Sequence, residues 1–185
     1  MKLTVNFGII GCGVISKFHI LAINAIEDAR LIGVYDHFLP AAQKTAEEQG
    51  IKCYSSYEEM LADGDIDAVC ICTPSGLHAE QAVKAAEAGK HVLIEKPIAL
   101  NLEDSDRIST IAREKGVKIG VVSQLRFTPA MQQVKKAMTD GLLGRICSAD
   151  IYMKYYRSQQ YYDANQWRGT VAMDGGGALM NQGIH

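Results

Sequence analysis

Residues 7–16 read Phe7-Gly8-Ile9-Ile10-Gly11-Cys12-Gly13-Val14-Ile15-Ser16, and the rest of the chain is organised around them. An apolar run from Leu3 to Ile10 enters this stretch and reads as a buried strand. An amphipathic helix leaves it. Gly11 suits a tight turn, and Gly13 lets the backbone approach a phosphate because no side chain intervenes. The helix beyond offers unpaired N–H groups and the positive end of its dipole. Strand, G-x-G turn and helix, in that order, are how a dinucleotide pyrophosphate is held. Ser16 stands where a third glycine is usual, and it is small enough for the helix to pack closely on the strand. Alone the motif is weak, since glycines commonly just turn a chain, so the remaining sequence has to carry the reading.

The 185 residues suffice for one full domain and part of a second. A hydrophobic content of 48% suits a packed core rather than a disordered chain. The net charge of -2, without a long run of one sign, points to neither nucleic acid nor a membrane surface. Lys2 precedes an apolar run, but Asn6 and the glycines interrupt it and no small-residue cleavage site follows, so it does not read as a signal peptide. No stretch reaches the ~18–20 apolar residues of a membrane span, and the protein is expected to be cytoplasmic. The five cysteines include no C-x-x-C pair, which supports neither a disulfide framework nor a zinc ribbon. Cys70 and Cys72 sit inside an apolar run and read as small core residues.

In chain order, a helix is predicted from about Val14 to Glu27, with Val14, Phe18, Leu21, Ala22, Ala25 and Ile26 as its apolar face. A strand from Arg30 to Tyr35 closes on Asp36, where dinucleotide folds place a carboxylate on the adenosine ribose. An acid there repels a 2′-phosphate and favours NAD over NADP. His37 follows it. A helix over 40–49 and short elements over 51–61 lead to a strand over 65–72. Ser75 is placed to cap the next helix, 77–88, and a strand over 91–94 ends at Glu95-Lys96-Pro97. Asn101 caps a further helix, a strand over 117–123 follows, and Thr128-Pro129 opens a last helix to about Met138. Three helices end in glycine, at Gly50, Gly89 and Gly116, and pass directly into an apolar strand. This alternation is the form of repeated βαβ units and predicts an α/β, doubly wound parallel sheet with the glycine turn at its ligand-binding end. Beyond Gly144 the character changes: 145–156 is aromatic and partly alternating, and is expected to begin an antiparallel sheet. The domains expected are 1–123, a dinucleotide-binding Rossmann domain, and 124–185, a connecting helix and the incomplete start of a substrate and oligomerisation domain.

Gly11-Cys12-Gly13, Thr73-Pro74-Ser75, Glu95-Lys96-Pro97 and the ending Gly175-Gly176-Gly177-Ala178-Leu179-Met180-Asn181-Gln182-Gly183-Ile184-His185 together resemble the Gfo/Idh/MocA family of sugar oxidoreductases. Trp167-Arg168-Gly169 before the glycine triplet is most similar to members that oxidise UDP-linked N-acetylhexosaminuronic acids. The resemblance implies NAD-dependent movement of hydride between the nicotinamide and a sugar or nucleotide-sugar hydroxyl or ketone. It implies Lys96 as the residue that holds the reacting hydroxyl, with Glu95 and Pro97 fixing it and a cis bond before Pro97. It implies His185 as the general base, with an unperturbed pKa near 6.5 that suits the exchange. Asn181 lies one helical turn before His185 and is a candidate hydrogen-bond partner of substrate, although many relatives carry Asp there. The cofactor set is Gly11, Cys12, Gly13, Val14, Ile15, Asp36 and His37 at one end. Thr73, Pro74, Ser75, His78, Glu95, Lys96 and Gln124 surround the nicotinamide. Arg126, Tyr156, Arg157, Trp167, Arg168 and Asn181 are candidates for substrate, since arginine binds carboxylate and diphosphate through paired hydrogen bonds. No metal site is expected. The alternatives are an inositol or small-polyol dehydrogenase of the same fold, or a chain that binds NAD and catalyses nothing. Full-length relatives are expected to be homo-oligomers.

Overall fold

The computed structural model describes residues 4–185, so Leu3 lies outside it. Strands β1 (Val5–Ile10), β2 (Ala29–Tyr35), β3 (Lys52–Cys53), β4 (Ala68–Ile71), β5 (His91–Ile94) and β6 (Ile119–Val121) form one sheet in the order β3-β2-β1-β4-β5-β6. Every adjacent pair is parallel. The order reverses between β1 and β4, and ligands of such sheets bind outside the carboxyl ends at that point.

Helices cover both faces, because strands buried on both sides are apolar on both sides. Ile9, Val34 and Cys70 pack with Ile20 and Ile23 of α1 (Ser16–Asn24) and with Ala42 and Ala46 of α2 (Leu39–Gln49). Ile10, Val69, Ile71 and Ile94 pack on the other side with Met60 of α3 (Tyr57–Ala62), Ala82 of α4 (His78–Glu87) and Ile108 of α5 (Leu102–Lys115). Asn101 caps α5 through Oδ1, which accepts from Asp104 N at 2.8 Å, and Gly116 closes it.

Two local expectations are corrected. Ser75 lies in a 3-10 turn (Ser75–Leu77), so α4 begins after Leu77 and has no side-chain cap. The buried face of α1 is Ser16, His19, Ile20 and Ile23. The predicted stripe faces outward instead: Val14, Phe18, Leu21 and Ile26 are all exposed, as are Ala22 and Ala25. The helix is apolar on most of its circumference, and the side carrying Ser16 fits the sheet because its small residue allows close approach.

The chain divides into two compact units, the second being Val122–His185. It contains α6 (Pro129–Thr139), α7 (Gln159–Asp163), α8 (Val171–Asp174) and one π-helical turn, Leu179–Gly183. The expected strand over 145–156 is not formed; those residues carry no regular structure and are exposed. A strand needs a neighbour to take its backbone hydrogen bonds, and none of the described strands pairs with this segment. No described helix is long and apolar enough to cross a membrane.

Gly11 has φ +92, and a Cβ built on it would lie 2.7 Å from both the carbonyl carbon and oxygen of Cys72. Gly50 has φ +64 with nothing within 4 Å. Gly11→Ala is therefore expected to cost about 2–4 kcal/mol, strain plus overlap. Gly50→Ala should cost only about 1–2 kcal/mol of left-handed strain. Urea unfolding of the two variants measures the difference.

Candidate functional site

The glycine turn is held from below. Gly11 N donates to Tyr35 O at 2.8 Å, and Cys12 N donates to Asp36 Oδ2 at 2.7 Å. Asp36 Oδ1 accepts from Phe38 N at 2.7 Å. This carboxylate thus ties the end of β2 to the turn after β1, and each oxygen retains acceptor capacity. Ser16 Oγ donates to Gly13 O at 2.6 Å, so the residue in the third-glycine position locks the turn to α1. The N-cap of α1, Ile15, makes no side-chain cap, while its carbonyl accepts from Phe18 N at 3.0 Å. Gly13 is exposed with nothing within 4 Å of its Cβ position. Unlike Gly11, it has no packing reason to be glycine; the open space is what a close-lying pyrophosphate requires. Val14 and Ile15 are exposed beside it, and so is His37. Burial and then Asp36 push the Cys12 thiol up to about 12, so it is no nucleophile.

The loops after β4 and β5 lie beside this turn. Thr73 Oγ1 donates to Gln81 Oε1 at 2.6 Å, Pro74 O accepts from Leu77 N, and Ser75 is buried. Glu95 N donates to Ile71 O at 3.0 Å, which carries the ladder one residue past β5. The Lys96–Pro97 bond is cis, as the resemblance implied. Glu95 is buried; its Oε1 is 2.8 Å from His19 Nε2, and its Oε2 accepts from Lys96 N at 3.3 Å. The glutamate thus spends its carboxylate inside the protein, between α1 and the backbone of Lys96. His19 was not singled out from the sequence. It lies on the buried Ser16–Ile20–Ile23 face of α1, and its partner is 76 residues away in the chain. His78 is 1% exposed; its Nδ1 is 2.7 Å from Pro97 O and its Nε2 is 2.9 Å from Thr73 O. Both ring nitrogens are therefore engaged with backbone rather than turned to a cofactor.

In the second unit, Gln124 and Arg126 are exposed around a 3-10 turn (Gln124–Phe127). Tyr156 is exposed as well. Arg157 lies over the Tyr155 and Tyr161 rings at 5.7 and 5.2 Å, and its Nη2 donates to Gln182 Oε1 at 2.9 Å. Arg168 lies 4.2 Å over Tyr161, close to Trp167, and donates from Nη1 to Tyr161 O. The structure thus brings Arg157, Trp167, Arg168 and the Asn181–Gln182 pair around one tyrosine. Asn181 is buried: its Nδ2 donates to Asp174 Oδ1 at 2.7 Å, and its Oδ1 accepts from Gln182 Nε2. Asp174, 1% exposed, also accepts from Gly169 N at 2.8 Å. Asp174 was not singled out from the sequence; here it is the carboxylate that holds Asn181. His185 N donates to Gln182 O. Among the described residues no group of His, Cys, Asp and Glu has the makings of a metal site.

Residues 5–123 match the Gfo/Idh/MocA oxidoreductase family, NAD-binding Rossmann fold, and residues 131–185 match the Gfo/Idh/MocA C-terminal domain. Among solved structures, the WlbA dehydrogenase from Bordetella pertussis, in complex with NADH and UDP-GlcNAcA, is 42% identical with a TM-score of 0.91. That match covers 99% of this chain and 53% of that one. The 1,5-anhydro-D-fructose reductase of Ensifer adhaerens is 32% identical over 97% of this chain and 54% of its own length. Inositol 2-dehydrogenase of Rhizobium meliloti (strain 1021) is 38% identical over 78% of this chain and 43% of its own. The chain spans about half the length of these relatives.

Gly13→Ala should change stability by less than about 0.5 kcal/mol, since its Cβ meets nothing. It should nevertheless weaken NAD binding by roughly tenfold or more, the cost of about 1.4 kcal/mol at the pyrophosphate. Urea unfolding and titration calorimetry on the same preparation check both halves.

Proposed function

The chain belongs to the Gfo/Idh/MocA oxidoreductase family, NAD-binding Rossmann fold, and from that premise we propose a UDP-linked N-acetylhexosaminuronic acid dehydrogenase. Residues 1–123 form the NAD-binding domain and 124–185 begin the substrate domain. The observation that carries the reading is Lys96. It follows β5 at the carboxyl edge of the sheet, with its backbone N–H held by the buried Glu95 carboxylate. Bound NAD supplies the hydride acceptor. The Gly13 turn and the first-turn amides of α1 receive its pyrophosphate. Asp36 accepts from the adenosine ribose hydroxyls with the lone pairs its two backbone bonds leave, and it disfavours a 2′-phosphate.

The Lys96 ammonium donates to the substrate hydroxyl and stabilises the oxygen as its carbon loses hydride. His185 takes the hydroxyl proton. Asn181, held by Asp174, positions the turn that carries His185. Arg157 and Arg168, stacked on tyrosine and tryptophan rings, offer guanidinium groups to the uronate or diphosphate. The likeness to a WlbA dehydrogenase whose structure holds NADH and UDP-GlcNAcA supports this substrate class. Residues 145–156 become the first strand of an antiparallel sheet when partner strands are present. The exposed Ile151, Tyr152 and Tyr155 there fit an assembly of several copies, which we place in the cytoplasm. The 38% identity to an inositol 2-dehydrogenase favours a second reading, oxidation of an inositol or small polyol.

NADH formation followed by absorbance decides between them. Turnover of UDP-N-acetylglucosaminuronate but not of myo-inositol is expected, with Lys96→Met lowering kcat by about 100-fold or more while NAD still binds. Turnover of inositol alone replaces the first reading with the second. NAD binding without turnover of either makes the chain a cofactor-binding unit.

A further inference from the structure

A neutral imidazole has one N–H donor and one lone pair. His78 faces a backbone carbonyl with each nitrogen, at 2.7 and 2.9 Å, and neither carbonyl has a proton to give. Only the doubly protonated ring satisfies both. One carbonyl, Thr73 O, belongs to the loop after β4; the other, Pro97 O, belongs to the turn that carries Lys96. We propose that His78 is a positioning residue that ties the Thr73–Ser75 loop to the Lys96–Pro97 turn, completely only as an imidazolium, so that cofactor binding takes up a proton at this ring. The proposal rests on the reading of these two loops as the walls of the nicotinamide site.

Burial pushes the His78 pKa below the ordinary histidine value, while the two carbonyls and Glu95 pull it back up and Lys96 opposes the charge. Cys70 of β4 packs on the opposite face of the sheet, with α1 and α2, and burial keeps its thiol protonated. From α5, Glu103 is exposed and Asp104 is bonded to Asn101. His19 acts only through Glu95. In the free protein the ring therefore loses its second proton as pH rises through a value below about 6.5, and one of the two ties goes. The sign for folding is the reverse of a salt-bridged histidine. The unfolded chain takes the proton first as pH falls, so stability is full above about 6.5 and declines as pH drops through the folded value. A cofactor that needs both loops in place selects the protonated ring, and by reciprocity raises its affinity for the proton.

Two measurements on the 185-residue chain test this. The first is nitrogen-detected NMR of the histidine rings in the free protein between about pH 5 and 8. Two slowly exchanging ring N–H protons from one buried histidine at the acid end, with one of them lost toward neutral pH, are expected. A buried ring that keeps a single N–H, or keeps both, across the whole range overturns the proposal. The second is calorimetry of NAD binding near pH 6 in two buffers of different ionisation enthalpy. Wild type should take up a fraction of a proton and bind up to ~10-fold more tightly near pH 6 than near pH 8. His78→Asn should show neither. Equal proton uptake by the folded variant overturns the proposal. If wild type binds no NAD at all, it is the cofactor reading that fails, and the NMR titration of the free ring still decides the tie.

Discussion

The backbone after β4 passes so close to the turn after β1 that Gly11 has room for a hydrogen and nothing more. Everything at the carboxyl edge of the sheet depends on that approach. It sets Ile10 beside Ile71, lets Cys72 N donate to Ile10 O, and brings the Thr73 loop against the glycine turn. A side chain at residue 11 would separate the two strands at the place where the sheet reverses its order. Gly13, two residues on, is glycine for the opposite reason, because nothing of the protein lies near it. One glycine serves the fold and the other leaves space for a ligand.

Around this edge the protein buries polar side chains and gives each a partner. His19 meets Glu95, Glu95 meets the Lys96 backbone, and His78 meets two carbonyls. An unpaired group in such surroundings costs about 1–3 kcal/mol, so these contacts hold the loops as firmly as apolar packing holds the strands. The same logic governs the second unit, where the buried Asp174 carboxylate collects Gly169 N and the Asn181 amide. In the first unit a buried carboxylate holds the backbone of Lys96, and in the second a buried carboxylate holds Asn181.

The parallel sheet was legible because its strands are buried on both faces and read as unbroken apolar runs, each announced by a turn. The glycine turn was legible because its backbone demands glycine at residue 11, Asp36 stood out by its place at the end of the second strand, and Glu95-Lys96-Pro97 stood out through the family resemblance. The outward face of α1 was misread: Phe18 and Leu21 outweigh Ser16 and His19 in hydrophobicity, yet it is the smaller and polar side that meets the sheet. Periodicity finds a helix with two apolar sides without saying which one is buried. His19 and Asp174 escaped notice because their roles depend on partners 76 and 7 residues away, which no local pattern records. Residues 145–156 have strand composition without strand structure, since pairing is not a property of one segment alone.

The sheet is bounded by its shortest members, two residues of β3 on one side and three of β6 on the other. Lys52, in β3, reaches over the Tyr54 ring at 4.2 Å and pairs with Asp63. Rims this brief, one of them carrying a lysine, offer little template for another backbone to extend. The sheet is thereby guarded at both rims against fibrillar growth.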